Sequence, residues 1–131
     1  MPLSQHRAIP IAASLFGTIF AAFGFNYIFN PQQAFVSSFG FPYPTAPAEQ
    51  KILDSFCVLY GAKDLFMGTA IFAAAWLGTR KSLGVILLAA GASAGIDGWV
   101  VNATVGQGEW NHWGYGSVIS VLGGVSLGLL G

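Results

Sequence analysis

Four stretches of the chain are almost wholly apolar, and its polar residues gather between them. At a 1.5 Å rise per residue, such stretches cross, or nearly cross, roughly 30 Å of hydrocarbon as helices. The first runs from about Ala8 to Phe29, and Asn30-Pro31 stops it, since the residue before a proline avoids helical dihedrals. The second runs from about Leu53 to Leu77 and turns at Gly78-Thr79-Arg80-Lys81, enough for a tight hairpin. The third spans about Leu83 to Thr104 and the fourth about His112 to Leu130. This pattern predicts an all-α, integral membrane four-helix bundle, one domain over residues 1–131.

Between the first two spans, Phe35, Phe39, Phe41 and Tyr43 alternate with Pro42, Pro44 and Pro47. A structureless loop from Pro31 to Gln50 is unusual in a compact domain. An aromatic, proline-rich loop here is expected to lie among headgroups or to fold over the bundle mouth as a lid. Trp110 and Trp113 stand at the other connection on that side, where interfacial aromatic anchors occur.

Composition supports the bilayer as solvent. Apolar residues make up 54% and charged residues 8% of the chain, against roughly 25% charged in soluble domains. Many of the 18 glycines fall inside the apolar runs, as they do where membrane helices pack closely. Gly123-Gly124 and Gly128 read as packing positions, within the bundle or against a second copy, so a homo-oligomer is a possible assembly. The zero net charge lacks the footprint of a nucleic-acid binder. The single Cys57 reads as a small core residue and excludes an internal disulfide. The first apolar run exceeds a typical signal-peptide core and is expected to be retained as a helix. Arg7, Arg80 and Lys81 flank one side and Lys51 the other, which places both termini in the cytosol.

Ionisable side chains at membrane depth are costly, and each is a functional hypothesis. Lys63 and Asp64 lie near the middle of the second span, Asp97 in the outer part of the third, and His112 opens the fourth. Helical spacing puts Asp64 on one face with Cys57, Tyr60, Gly61 and Gly68, and Asp97 with Ala90, Ser93, Ala94 and Thr104. Two such faces allow the acids to converge. Lys63 and Asp64 point about 100° apart, which leaves Lys63 available to Asp97 on the next helix. One protonated and one ionised carboxyl on a small cavity would form a general acid and a general base. The competing structural reading is a buried ion-pair cluster that fixes helix register. His112 and Tyr115, with Asn26, Asn102 and Asn111, are candidates to line the outer mouth, although a histidine there also reads as a solvated cap. Trp99 is a candidate substrate contact or an interfacial anchor. One Cys and separated carboxylates form no recognisable metal-ligand motif, and neither metal nor organic cofactor is expected.

The runs Gly61-Ala62-Lys63-Asp64 with Gly68, Ile96-Asp97-Gly98, and His112-Trp113-Gly114-Tyr115-Gly116 resemble a small fungal four-helix membrane family labelled as a domain of unknown function. The resemblance covers nearly the whole chain. Some members lie in polyketide and meroterpenoid gene clusters, and related proteins are assigned as membrane epoxide hydrolases that build cyclic ethers. The family commonly has arginine at the position of Lys63, so this chain keeps the charge but lacks the planar fork. The resemblance implies a eukaryotic endomembrane such as the endoplasmic reticulum, and roles for Asp64, Asp97 and His112 in binding or acid/base chemistry.

The expected function is a cofactor-independent epoxide hydrolase or cyclase acting on a lipophilic oxygenated metabolite. Asp64, Asp97 and His112 are its catalytic candidates, and Lys63, Tyr60, Tyr115, Asn102 and Trp99 its substrate contacts. The alternatives are a binding or proton-coupled transport module and a structural membrane subunit.

Overall fold

The computed structural model describes residues 2–130. After a short 3-10 turn at Leu3–Gln5, it contains α1 (Ala8–Phe29), α2 (Pro31–Phe39), α3 (Pro47–Trp76), α4 (Arg80–Val105) and α5 (Trp110–Leu127). The all-α class holds, but the described residues form five α-helices rather than four.

The extra helix lies in the segment expected to be a loop. Pro31 ends α1 and also occupies the first turn of α2, where its missing N–H has no intrahelical partner to lose. Gly40, at φ 66°, then closes α2 in the left-handed conformation that glycine adopts without strain. Pro47 likewise begins α3, ahead of the expected start at Leu53. Thr79 and Ser82 cap α4 reciprocally: Thr79 Oγ1 accepts from Ser82 N at 3.1 Å, and Ser82 Oγ from Thr79 N at 2.9 Å. Gly128, at φ 79°, ends α5 before the expected Leu130. Three helices, α1, α3 and α4, are long and apolar enough to cross a membrane.

The helices pack as two pairs, α1 on α3 and α4 on α5, with fewer contacts between the pairs. Glycines seven residues apart form each seam: Gly17 and Gly24 face Gly68 and Gly61, while Gly84 and Gly91 face Gly123 and Gly116. A Cβ on Gly24 would lie 2.7 Å from the Gly61 carbonyl oxygen, and one on Gly61 2.6 Å from that of Gly24. Only hydrogen fits between these backbones, and the approach maximises van der Waals contact. Between the pairs, Phe20, Ile71, Leu83, Leu87 and Ile119 form the main core. A second cluster at the α2 end joins Tyr27, Ala34 and Cys57 to Phe35, Phe39 and Tyr60. The aromatic segment thus folds over the mouth of the bundle.

Candidate functional site

The close approach of α1 at Gly61 buries the face of α3 that carries Cys57 and Asp64. Asp64 is 4% exposed. Lys63 Nζ lies 3.1 Å from Asp64 Oδ1 and 3.8 Å from the centroid of the Tyr60 ring. The expected pairing of Lys63 with Asp97 is therefore not made. Consecutive helical side chains diverge, but the flexible lysine stem folds back to its neighbour's carboxylate. The contact is an ion pair without regular hydrogen-bond geometry, so the buried Oδ1 receives no hydrogen bond from the described residues.

Asp97 has a different partner. The Tyr60 hydroxyl donates to Asp97 Oδ2 at 2.6 Å, tying α3 to α4 across the boundary between the helix pairs. The two acids are therefore not equivalent. Asp64 lines a cavity, whereas Asp97 is absent from its lining and is linked to it by Tyr60.

This cavity has a volume of ≈ 170 Å³. Asp64 and Tyr60 reach it from α3, Phe23 and Tyr27 from α1, Ser37 and Ser38 from α2, and Asn111, His112 and Tyr115 from α5. His112 is buried, contrary to the solvated-cap reading. Its Nε2 is 3.0 Å from the Ser38 carbonyl oxygen, which can only accept, so Nε2 carries hydrogen. Nδ1 faces the Tyr115 hydroxyl at 3.5 Å. Phe39 stacks on the imidazole at 5.5 Å between centroids and 18° between planes. The lid helix thus fixes the orientation and one proton of the histidine.

Of the residues singled out in the sequence, Asp64, His112, Tyr60, Tyr115 and Asn111 meet in the cavity. Lys63 and Asp97 touch it through Asp64 and Tyr60. Asn102 and Trp99 lie outside the lining, with Trp99 66% exposed. Asn26 donates instead to Gln33 Oε1 at 3.0 Å. The sequence pattern does not single out Tyr27, Phe23, Ser37 or Ser38. The seven-residue glycine spacing of α1 marked the face of Tyr27, but Ser38 acts through a backbone carbonyl, which no side-chain pattern reveals. Among the described residues, no group of three His, Cys, Asp or Glu side chains is placed to hold a metal ion.

Carboxylate, imidazole and phenols around a small, largely buried space can exchange protons with a bound oxygen function. No curated protein and no solved structure matches the chain. A family model described as a domain of unknown function (DUF4267) matches residues 17–126.

Proposed function

The chain belongs to the DUF4267 family, and from the chemistry of its cavity we propose that it is an integral membrane hydrolase or cyclase that opens an epoxide on a lipophilic metabolite. The carrying observation is the burial of Asp64, whose Oδ1 is ion-paired with Lys63 but receives no hydrogen bond, in the same cavity as His112 and Tyr115. A buried carboxylate with hydrogen-bonding capacity left over is suited to meet a polar group on a ligand.

In the proposed reaction, the epoxide C–O bond breaks as the oxygen of water, or of a hydroxyl on the substrate, bonds to the ring carbon. Asp64 takes the proton shed by the attacking oxygen. Tyr115 protonates the released oxygen, and return of the first proton from Asp64 to the Tyr115 phenolate restores the site, while His112 Nδ1, which carries no hydrogen, faces the Tyr115 hydroxyl and orients it. Water as nucleophile gives a diol; an internal hydroxyl gives a cyclic ether. Lys63 pairs with Asp64, and Asp97 orients Tyr60 along the wall. The resemblance to members from fungal biosynthetic clusters favours a secondary metabolite as substrate.

The membrane setting rests on the three long apolar helices and on outward-facing Leu59, Phe66 and Trp99, each exposed by more than 60% of its surface. In this reading, α1, α3, α4 and α5 cross an endomembrane, with both termini cytosolic. Helix α5, at 18 residues, reaches about 27 Å, and α2 lies across the outer mouth.

The test is turnover of a panel of lipophilic epoxides by detergent-purified protein. Diol or ring product from wild type, lost in Asp64→Asn at matched folding, supports the reading. Product formation that survives Asp64→Asn rejects it. Turnover in detergent also separates an enzyme from a transporter, which needs a gradient across a sealed membrane.

A further inference from the structure

The exposed residues around the cavity come from three helices: Phe23 of α1, Ser37 of α2 and Asn111 of α5. From the opposite wall, α3 contributes buried Asp64 and half-buried Tyr60. The opening therefore lies where α1, α2 and α5 meet, and α1 and α5 belong to different glycine-packed pairs with few contacts between them. Phe20 meets Tyr115 edge-on at 6.2 Å and closes that seam one turn beneath Phe23.

The rim is chemically divided. Ser37, on the lid helix, and Asn111, in the first turn of α5, put polar groups at the end of the bundle. Phe23 lies six residues before the end of α1, about 9 Å deeper, and is 40% exposed. A pocket served from water alone has no use for a phenylalanine lip facing outward at that depth. Size points the same way: ≈ 170 Å³ is well below the roughly 300–1,000 Å³ that encloses a whole small ligand. Only the reactive end of a substrate fits, and the rest of it must lie outside.

We propose that the substrate is a membrane-dissolved amphiphile that reaches the cavity sideways, its oxygenated end passing Ser37 and Asn111 toward Asp64 while its hydrocarbon body stays in the bilayer across Phe23. This rests on the reading of the cavity as an active site, and it makes Phe23 the residue that selects the shape of the apolar body. A bulkier side chain there narrows the passage for a chain but not for a short molecule that fits inside.

Two measurements on the full chain in phosphatidylcholine vesicles test it. The first compares KM for short- and long-chain terminal epoxyalkanes in wild type, Phe23→Ala and Phe23→Trp. Phe23→Trp is expected to raise the long-to-short KM ratio about tenfold, as steric discrimination in apolar pockets does, and Phe23→Ala to lower it. An unchanged ratio in both variants overturns the proposal.

The second measurement needs no turnover. Phe23→Cys is treated with a lipid-dissolved thiol reagent and, separately, with a membrane-impermeant one applied to both faces, with wild type giving the background from buried Cys57. Labelling by the lipid-borne reagent alone is expected. Labelling by the aqueous reagent overturns lateral access even where no epoxide is turned over, so this failure is distinct from failure of the assigned reaction.

Discussion

The Tyr60 hydroxyl donates to Asp97 Oδ2 at 2.6 Å, joining a residue of α3 to one of α4. Because the helix pairs otherwise meet through relatively few contacts, this bond is a main polar tie between them. Tyr60→Phe leaves the half-buried carboxylate without its donor and is expected to destabilise the protein by about 1–3 kcal/mol. Thermal unfolding in detergent measures this. Asp97→Asn keeps an acceptor for the phenol and is expected to cost less, an order that a direct catalytic role for Asp97 alone would not impose.

In the proposed reaction, removing the cation beside Asp64 is expected to affect turnover more than folding. Lys63→Met retains the apolar stem but leaves the Asp64 carboxylate without its ion pair. Activity is expected to fall about 100-fold or more, the scale on which positioned acid/base groups act. Lys63→Arg, which restores the charge, is expected to recover most of it. Rates compared at equal folded fraction decide the point; equal loss in both variants would show that the compact ammonium group, rather than positive charge as such, matters.

His112 also fastens the lid, through its bond to the Ser38 carbonyl and its stacking on Phe39. His112→Ala is expected to loosen α2 as well as to reduce turnover. Hydrogen exchange read across residues 31–39 should speed up in the variant, while exchange in α4 stays slow. Unchanged protection of α2 would separate the histidine from lid closure.

The glycine seams make opposite predictions for two substitutions of the same kind. Gly24→Ala places a methyl 2.7 Å from the Gly61 carbonyl oxygen and 2.9 Å from Leu65 N. These are backbone atoms that cannot step aside, so a loss of about 1–3 kcal/mol is expected. At Gly95 a Cβ meets nothing within 4 Å, and alanine is expected to stabilise α4 by about 0.5–1 kcal/mol through reduced backbone entropy. Paired melting curves check both signs.

Outside the long helices, Tyr43 donates to Asp54 Oδ1 at 2.7 Å and pins the connection between α2 and α3. Loss of that bond on ionisation, together with the neighbouring negative charge, pushes the phenol up from 10.0 to about 12. A folded value above the unfolded one means that this contribution is full below pH 10 and disappears as pH rises through about 12. Stability measured from neutral pH to pH 12 should show this decline in wild type and a smaller one in Tyr43→Phe.

The hydrophobic pattern located α1 to the residue and the cores of α3, α4 and α5, since long apolar runs have few ways to satisfy their backbone except as helices. It also identified Asp64, His112, Tyr60 and Tyr115, because polar groups in apolar surroundings stand out. Helix α2 is not legible in the pattern because Pro31 at its start and Pro42, Pro44 and Pro47 after it read as breaks, whereas at a first turn proline starts a helix as readily as it ends the one before. Partnership was decided only by the tertiary structure. Lys63 turned to Asp64, Tyr60 took Asp97, and a Ser38 carbonyl claimed His112, because the first pairing depends on a side-chain rotamer and the other two on how α3 meets α4 and α2 meets α5. Spacing along a chain specifies which face a residue occupies; which group it meets there is settled by how closely the next helix can approach.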